Sequence, residues 1–270
     1  MESLEGLRVL CCTSQMKGES AFAIELKNSG CKVDILQMGT PNYYCPGIDE
    51  IDTIAREISY THWLVFSSPY GVKAFQKINA LKNLLKNGAV NPLIGLIGKK
   101  TSMAFESGFT NCFRTETANS FDGLIYKIQQ GQKDGIQKVY HITSFESPGL
   151  MPLETPDTIK LKQMPLYGII PVNLNMAQIQ DIKDKSYDLI FLSSPSIYEF
   201  FKQVSGFSDL LKTVPLATAG IRTSNHITED GQPVSIIPET PKPAALVAAI
   251  KFELKRQQRL NLNRKAFVKQ

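Results

Sequence analysis

Two stretches of this chain share one short grammar. Trp63 to Phe75 reads WLVFSSPYGVKAF, and Asp188 to Phe201 reads DLIFLSSPSIYEFF. Each is a brief apolar run, then Ser-Ser-Pro, then apolar residues at helical spacing. The apolar runs are too short for helices and suit strands buried in a parallel sheet. Ser68 and Ser194 stand where a helix N-cap belongs, and Pro69 and Pro195 where the first helical residue belongs. Each copy therefore reads as strand, tight turn and helix N-terminus. Such a turn aims unpaired backbone N–H groups, one or two hydroxyls and the positive end of a helix dipole off the C-terminal edge of a sheet. Two of them imply two similar lobes that hold something anionic.

The repetition extends beyond these turns. Pro92 to Gly98 (PLIGLIG) is answered by Val214 to Gly220 (VPLATAG), Thr101 by Thr223, and Gly108 by Gly231. Thr115 to Ile128 is answered by Pro238 to Ile250. The offset stays near about 120 to 130 positions, the mark of an internal duplication. Ahead of the first copy, Leu7 to Cys12 reads as a strand, Ala21 to Asn28 as a helix closed by Gly30, and Lys32 to Met38 as a second strand. That unit has its partner in 137–166, where Gln137 to Thr143 and Lys160 to Leu166 read as strands. Gly39 to Gly47 and Tyr167 to Pro171 are linkers. Ile48 to Ser59 has helical spacing, the first strand–turn–helix unit ends near Lys86, and Ser120 caps a helix from Phe121 to Gln130. Glu146 to Asp157 holds three prolines and no periodic pattern.

Strands alternating with helices give an α/β class with parallel sheets and a ligand edge at the strand C-termini. If the two linkers run side by side, the first strand unit packs with the last and the two middle units pack together. One lobe is then discontinuous, 1–39 with 172–270, and the other is 40–171, including both linker segments.

Composition narrows the function. The chain has 270 residues, enough for real cores, with no apolar run long enough to span a membrane. MESLEGLRVLCC has no basic segment before its apolar run, so a cytoplasmic protein without a membrane partner is expected. The net charge of +5 is local. It comes from Lys251 to Gln270, where seven lysines and arginines face Glu253 alone, and the rest of the chain is nearly neutral. The tail lacks the aromatics of a base-stacking surface, so it reads as a solvated helix end with a frayed terminus and not as a nucleic-acid footprint. Five cysteines (Cys11, Cys12, Cys31, Cys45, Cys112) with no CxxC spacing imply buried apolar filler, without a disulfide framework or zinc site. His62, His141 and His226 have no metal-ligand spacing and read as structural residues.

Taken in order, these pieces resemble uroporphyrinogen-III synthase, a tetrapyrrole-pathway family. The family's F-[TS]-S-P is met by Phe66-Ser67-Ser68-Pro69, and its V-G-x-x-T-A-like turn by Ile97 to Thr101. A strand ending in V-Y-x-T is met by Pro165-Leu166-Tyr167-Gly168. The second F-x-S-P is met by Phe191 to Pro195, the second G-x-x-T by Gly220 to Thr223, and a final T-P-x-x-x-x-L by Thr240-Pro241 to Leu246. The match spans nearly the whole chain, and its specificity lies in the ordered set. One departure follows the strand at 138–143, where an Arg-Gly or Cys-Gly-Asn type turn is replaced by Thr143-Ser144-Phe145-Glu146-Ser147.

The resemblance implies two flavodoxin-like lobes with parallel sheets, joined by a two-segment linker. It also implies a cyclising lyase, working without metal or organic cofactor, that closes hydroxymethylbilane with loss of water and inversion of ring D. The expelled hydroxyl leaves an azafulvenium-type cation, and a spiro intermediate follows. The protein's task is to fold the bilane so that its ends meet. Ser67, Ser68, Thr101 and Ser102 are the expected holders of carboxylate arms from one lobe. Ser193, Ser194, Ser196 and Thr223 are expected to hold them from the other. For each, the competing reading is a helix cap worth about 1 kcal/mol. Tyr167 is the expected acid for the departing hydroxyl, against the reading of an aromatic plug. A monomer is expected, with at most transient contact to the bilane-forming enzyme. The alternative function is a non-catalytic two-lobed receptor for a small polyanion. A nucleotide- or sugar-using enzyme is disfavoured, since no Gly-x-Gly-x-x-Gly turn or phosphate-loop lysine is present.

Overall fold

The computed structural model describes residues 4–14, 20–109, 114–131, 135–145 and 155–267, with side chains described as far as Gln257. In chain order the elements are β1 (Arg8–Thr13), α1 (Ala21–Asn28), β2 (Lys32–Gln37), β3 (Gly39–Tyr43), α2 (Ile48–Ser59), β4 (Trp63–Phe66), α3 (Pro69–Lys77) and α4 (Asn79–Lys86). Next come β5 (Leu93–Ile97), α5 (Lys99–Gly108), β6 (Thr115–Ala118), α6 (Phe121–Gln130), β7 (Gln137–Ser144) and β8 (Ile159–Pro171). The last are α7 (Met176–Asp184), β9 (Leu189–Leu192), α8 (Pro195–Gln203), α9 (Ser208–Thr213), β10 (Leu216–Thr218), α10 (Ile221–Glu229) and α11 (Pro243–Phe267).

The chain divides into two compact units, 1–40 with 170–270, and 41–169. The first contains a four-stranded sheet in the order β10-β9-β1-β2, every pair parallel. Strands on its inner rows are apolar almost throughout: Val9 to Thr13 and Leu189 to Leu192 are all buried. A strand flanked on both edges and covered on both faces has no surface to leave polar. One face carries Leu10, Cys12, Ile190 and Leu192 against residues of α7 to α10, such as Ile182, Tyr198, Phe201 and Ile227. The other carries Val9, Cys11, Leu189 and Phe191 against α1 and α11, through Ala23, Leu26, Leu246 and Ile250.

The second unit contains most of a six-stranded sheet, ordered β3-β8-β7-β4-β5-β6, and β8 to β6 run parallel. Phe66, Leu64, Ile94 and Ile142 face α2 to α5, while Trp63, Val65 and Val139 face α6 through Leu124, Ile125 and Ile128. Counted from β7, the spatial order of these five strands is the 2-1-3-4-5 order of the flavodoxin-type doubly wound sheet. The first unit shows the same order, β1 and β2 followed by β9 and β10, and Ile236 adds a parallel bridge beyond β10. The switch points are thus the β1/β9 and β7/β4 boundaries.

Most helix starts follow the sequence reading. Ser68 and Ser194 accept hydrogen bonds from the N–H groups of Tyr70 and Ile197, Ser120 from Gly123 and Ser20 from Ala23. Several expectations need correction. The single helix expected up to Lys86 breaks at Ile78, whose extended ψ of 94° ends α3 and starts α4. Gly39 to Tyr43, expected as linker, forms β3 at the edge of the larger sheet. Stretches given no element hold β6, α7 and α9. The basic tail is helical as far as Phe267. Cys11, Cys12 and Cys31 are buried as expected, but Cys45 is exposed, and Cys112 lies outside the described residues. So do residues 146–154, which hold most of the aperiodic Pro-rich stretch.

The largest correction concerns Tyr167 to Pro171, expected as linker. It continues β8, a strand of 13 residues. Thr143 pairs Pro165 but Ser144 pairs Tyr167, so Leu166 is an extra residue, a β-bulge. The bulge tolerates Pro165, which has no ladder N–H to give. It also breaks the inside–outside alternation, so Leu166 and Tyr167 both enter the core beneath α2 to α5. The Leu166 carbonyl meanwhile accepts from the Tyr44 N–H at 2.8 Å.

Close approach of α6 depends on a missing side chain in β5. A Cβ on Gly95 would stand 2.7 Å from Leu124 Cδ2 and 3.0 Å from Val65 Cγ2. Leu124 can rotate, but Val65 belongs to the central strand and cannot retreat. Gly95→Val should destabilise the protein by about 1–3 kcal/mol through overpacking. Urea denaturation measures this, and an unchanged midpoint would mean that α6 does not press on β5.

Candidate functional site

The second unit gathers four of the expected residues at the C-terminal ends of β4 and β5. Ser68 caps α3, its Oγ accepting from Tyr70 N–H at 3.1 Å, which leaves its own proton to donate elsewhere. Ser67, one residue earlier, is half-buried and lies 2.9 Å from Nε2 of His141. Thr101 and Ser102 occupy the first turn of α5, where Gly98 holds φ at +84° and offers no capping side chain. A Cβ would be strained at that φ, so glycine frees the turn but leaves the first helix amides without a hydroxyl. Thr101 is buried at 2% exposure and packs inside the turn, while Ser102 is half-exposed. Tyr167 is 7% exposed, with its ring 6.1 Å from that of Tyr70 and in contact range of where a Gly71 Cβ would sit.

Ser102 also lines a cleft of about 540 Å³ with Gly98, Lys99, Asn119, Ser120 and Lys127. The cleft lies at the ends of β5 and β6, where α5 and α6 both present their N-termini. Two helix dipoles and two lysines give it positive potential. Lys127 is partly committed, donating to the Thr117 carbonyl at 2.8 Å and facing Glu116 at 3.5 Å. Asn119, Ser120 and Lys127 were not among the expected site residues. The capping serine was legible, but its nearness to Gly98 depends on the parallel pairing of β5 with β6.

The first unit repeats the turn at the end of β9. Ser194 caps α8 through Ile197 N–H at 3.4 Å, and Ser193 N–H donates to the Cys12 carbonyl at 3.3 Å. Ser193, Ser194 and Ser196 are half-buried, and Thr223 in the first turn of α10 is 5% exposed. Thr223 therefore matches Thr101 in burial. In both halves the serines are half-buried at the turn, and the threonine is packed within it.

The three histidines sit in different surroundings. His62 accepts from Lys138 N–H at 3.0 Å, and His226 lies 2.8 Å from Glu199 Oε1 on the surface of α8 and α10. His141 is 3% exposed, its ring 4.8 Å from that of Phe121, and its Nδ1 has no hydrogen-bond partner among the described residues. Burial lowers its pKa to about 4. Among the described residues no group of three or more His, Cys, Asp or Glu is placed to hold a metal ion.

That depressed pKa makes a prediction about stability. The unfolded imidazole binds a proton below its ordinary value of 6.5, whereas folded His141 stays neutral down to about 4. Stability contributed here is whole above pH 6.5, falls as pH drops toward 4, and amounts to about 3 kcal/mol at most. His141→Phe should flatten that part of the pH profile in urea denaturation. An identical profile for the variant would mean that His141 titrates alike in both states.

No curated protein sequence matches the chain. The sequence model of the family Uroporphyrinogen-III synthase HemD matches residues 44–248. Among solved structures, the chain is similar to uroporphyrinogen-III synthetase from Helicobacter pylori 26695, with a TM-score of 0.59 and 16% identity over 92% of this chain and 99% of that one. It is also similar to a mutant uroporphyrinogen III synthase from the extremely thermophilic bacterium Thermus thermophilus, with a TM-score of 0.55 and 14% identity over 93% of this chain and 100% of the other. These likenesses give the fold, two parallel-sheet units of the same architecture. The family match covers well over half of the sequence, and the chain belongs to the uroporphyrinogen-III synthase family.

Proposed function

We propose that the chain performs its family's reaction, closing hydroxymethylbilane to uroporphyrinogen III with loss of water, and that it does so by positioning. The observation that carries this is the recurrence of one turn, a serine-capped helix N-terminus at the end of a buried parallel strand, in both units. Each turn offers amides and a hydroxyl proton to a carboxylate without needing a charged side chain. Ser67, Ser68 and Ser102 grip arms in one unit, and Ser193, Ser194 and Ser196 in the other. Thr101 and Thr223 act by shaping their turns, since their side chains are buried and the Thr101 N–H already donates to the Gly98 carbonyl at 3.0 Å. The cleft lined by Lys99, Ser102, Ser120 and Lys127 suits a further acidic arm. The enzyme is taken to work as a monomer in the cytoplasm, with at most transient contact to the bilane-forming enzyme. No helix among the described residues is long and apolar enough to cross a membrane.

Tyr167 is proposed as the proton donor to the departing hydroxyl. The bulge in β8 supports this by fixing the ring between the sheet and Tyr70, where a phenol is oriented and shielded from bulk water. Tyr167→Phe should lower turnover about tenfold to a hundredfold, the usual range for a general acid. Turnover equal to that of the parent would leave Tyr167 a packing residue.

The deciding assay incubates the protein with freshly made hydroxymethylbilane and separates the product isomers. Isomer III is expected in excess. Isomer I alone, the spontaneous product, would mean that the protein binds the bilane without catalysing its closure.

A further inference from the structure

The pair formed by Ser67 and His141 is not used by the reading above. It lies at the β7/β4 switch point, where this sheet order opens a crevice at the strand C-termini. His141 stands opposite Val65 in the β4–β7 register, and its side chain reaches forward to the first residue after β4. Phe121 of α6 covers the ring. The Nδ1 atom is buried and meets no partner among the described residues. A hydroxyl beside an imidazole can be a nucleophile–base pair, but that requires a group on the far nitrogen to orient and charge the ring. Among the described residues none is present, so the pair does something else.

The unpartnered nitrogen decides what. If Ser67 donated to Nε2, the ring proton would sit on Nδ1 as a buried N–H with no acceptor, an arrangement that native interiors almost exclude. If Nε2–H donates to Ser67 Oγ, only a bare lone pair is buried. The Ser67 oxygen is then an acceptor from the ring, and its own proton is free to donate outward. We propose that His141 is a positioning residue, fixing the Ser67 hydroxyl as a donor aimed at a carboxylate arm of the bilane. The neutral imidazole does this at every pH at which the enzyme is folded and active, because burial holds its proton affinity low. The other half lacks the device. Cys11 stands opposite Phe191 as His141 does opposite Val65, and its thiol lies 3.9 Å from Ser20 instead of meeting Ser193.

This inference rests on the reading that Ser67 holds substrate, and the test separates the two. Steady-state kinetics are measured on the parent, Ser67→Ala, His141→Phe, the double variant and His141→Gln, which keeps an N–H donor near Nε2. Ser67→Ala and His141→Phe should each raise KM about threefold to tenfold with kcat little changed, the scale of one hydrogen bond. The double variant should be no worse than Ser67→Ala, and His141→Gln should recover most of the loss. An unchanged KM in Ser67→Ala would overturn the reading of Ser67 and the inference with it. A raised KM in Ser67→Ala beside a silent His141→Phe, or multiplying effects in the double variant, would overturn the inference alone. The tautomer is read on the parent protein by two-bond nitrogen–proton NMR of labelled histidine, with only three histidines to assign. The Nε2–H form is expected. An Nδ1–H form would overturn the inference whether or not the variants fold.

Discussion

The fold turns on one local constraint: a helix must begin within two residues of the end of a buried parallel strand. Phe66 is the last residue of β4 and Pro69 the first of α3, with Leu192 and Pro195 repeating the spacing. Such a turn exposes helix amides that no preceding backbone can satisfy. Ser68 and Ser194 satisfy one amide each, and the prolines remove another donor at no cost. The amides left over sit at the crevice edge of the sheet. The same turns that end the strands cleanly therefore carry the amides that the proposed reading gives to anion binding, and on that reading stability and binding use the same atoms.

Where apolar runs and caps coincide, the structure was legible. The bounds of α1, α2, α6, β4 and β9 follow from Gly30, Gly47, Ser120 and the apolar runs themselves. The halves were legible too, because VPLATAG answers PLIGLIG without any need for geometry. What escaped depends on neighbours. TETA, the β6 strand, is polar and partly exposed, and only pairing with β5 makes it a strand. YGIIP, from Tyr167 to Pro171, contains a glycine and a proline, and reads as linker until a bulge at Leu166 lets the strand run on past its pairing with β7. The contact of Ser67 with His141 spans 74 positions and depends on strand register, which no periodicity reveals.

Burial sorts the candidate residues more sharply than their chemistry does. Eight of the nine candidates carry an aliphatic hydroxyl near a helix start, and Tyr167 carries a phenol. Thr101 and Thr223 turn out to be packed in, whereas the serines stand half open. A β-branched hydroxyl inside a first turn fills space and fixes the amides around it. A serine at the cap is small enough to leave room for a ligand. On the proposed reading, that difference leaves the threonines to hold the shape of the turn and the serines to meet the ligand.

Inversion of one ring requires that the two ends of the bilane be treated differently, and a perfectly repeated scaffold would treat them alike. The duplication is broken at the positions that matter for this. His141 has Cys11 as its counterpart, and burial keeps that thiol protonated with a pKa of about 11, so it cannot offer charge. Lys99 and Lys100 after Gly98 have Ile221 and Arg222 as counterparts after Gly220. The bulge that turns Tyr167 inward interrupts β7 and β8, whereas β1 and β2 pair in unbroken register from Arg8 to Thr13. On the proposed reading the repeated parts supply grip and the unrepeated parts supply direction, so selection of the isomer belongs to the residues that the duplication no longer shares.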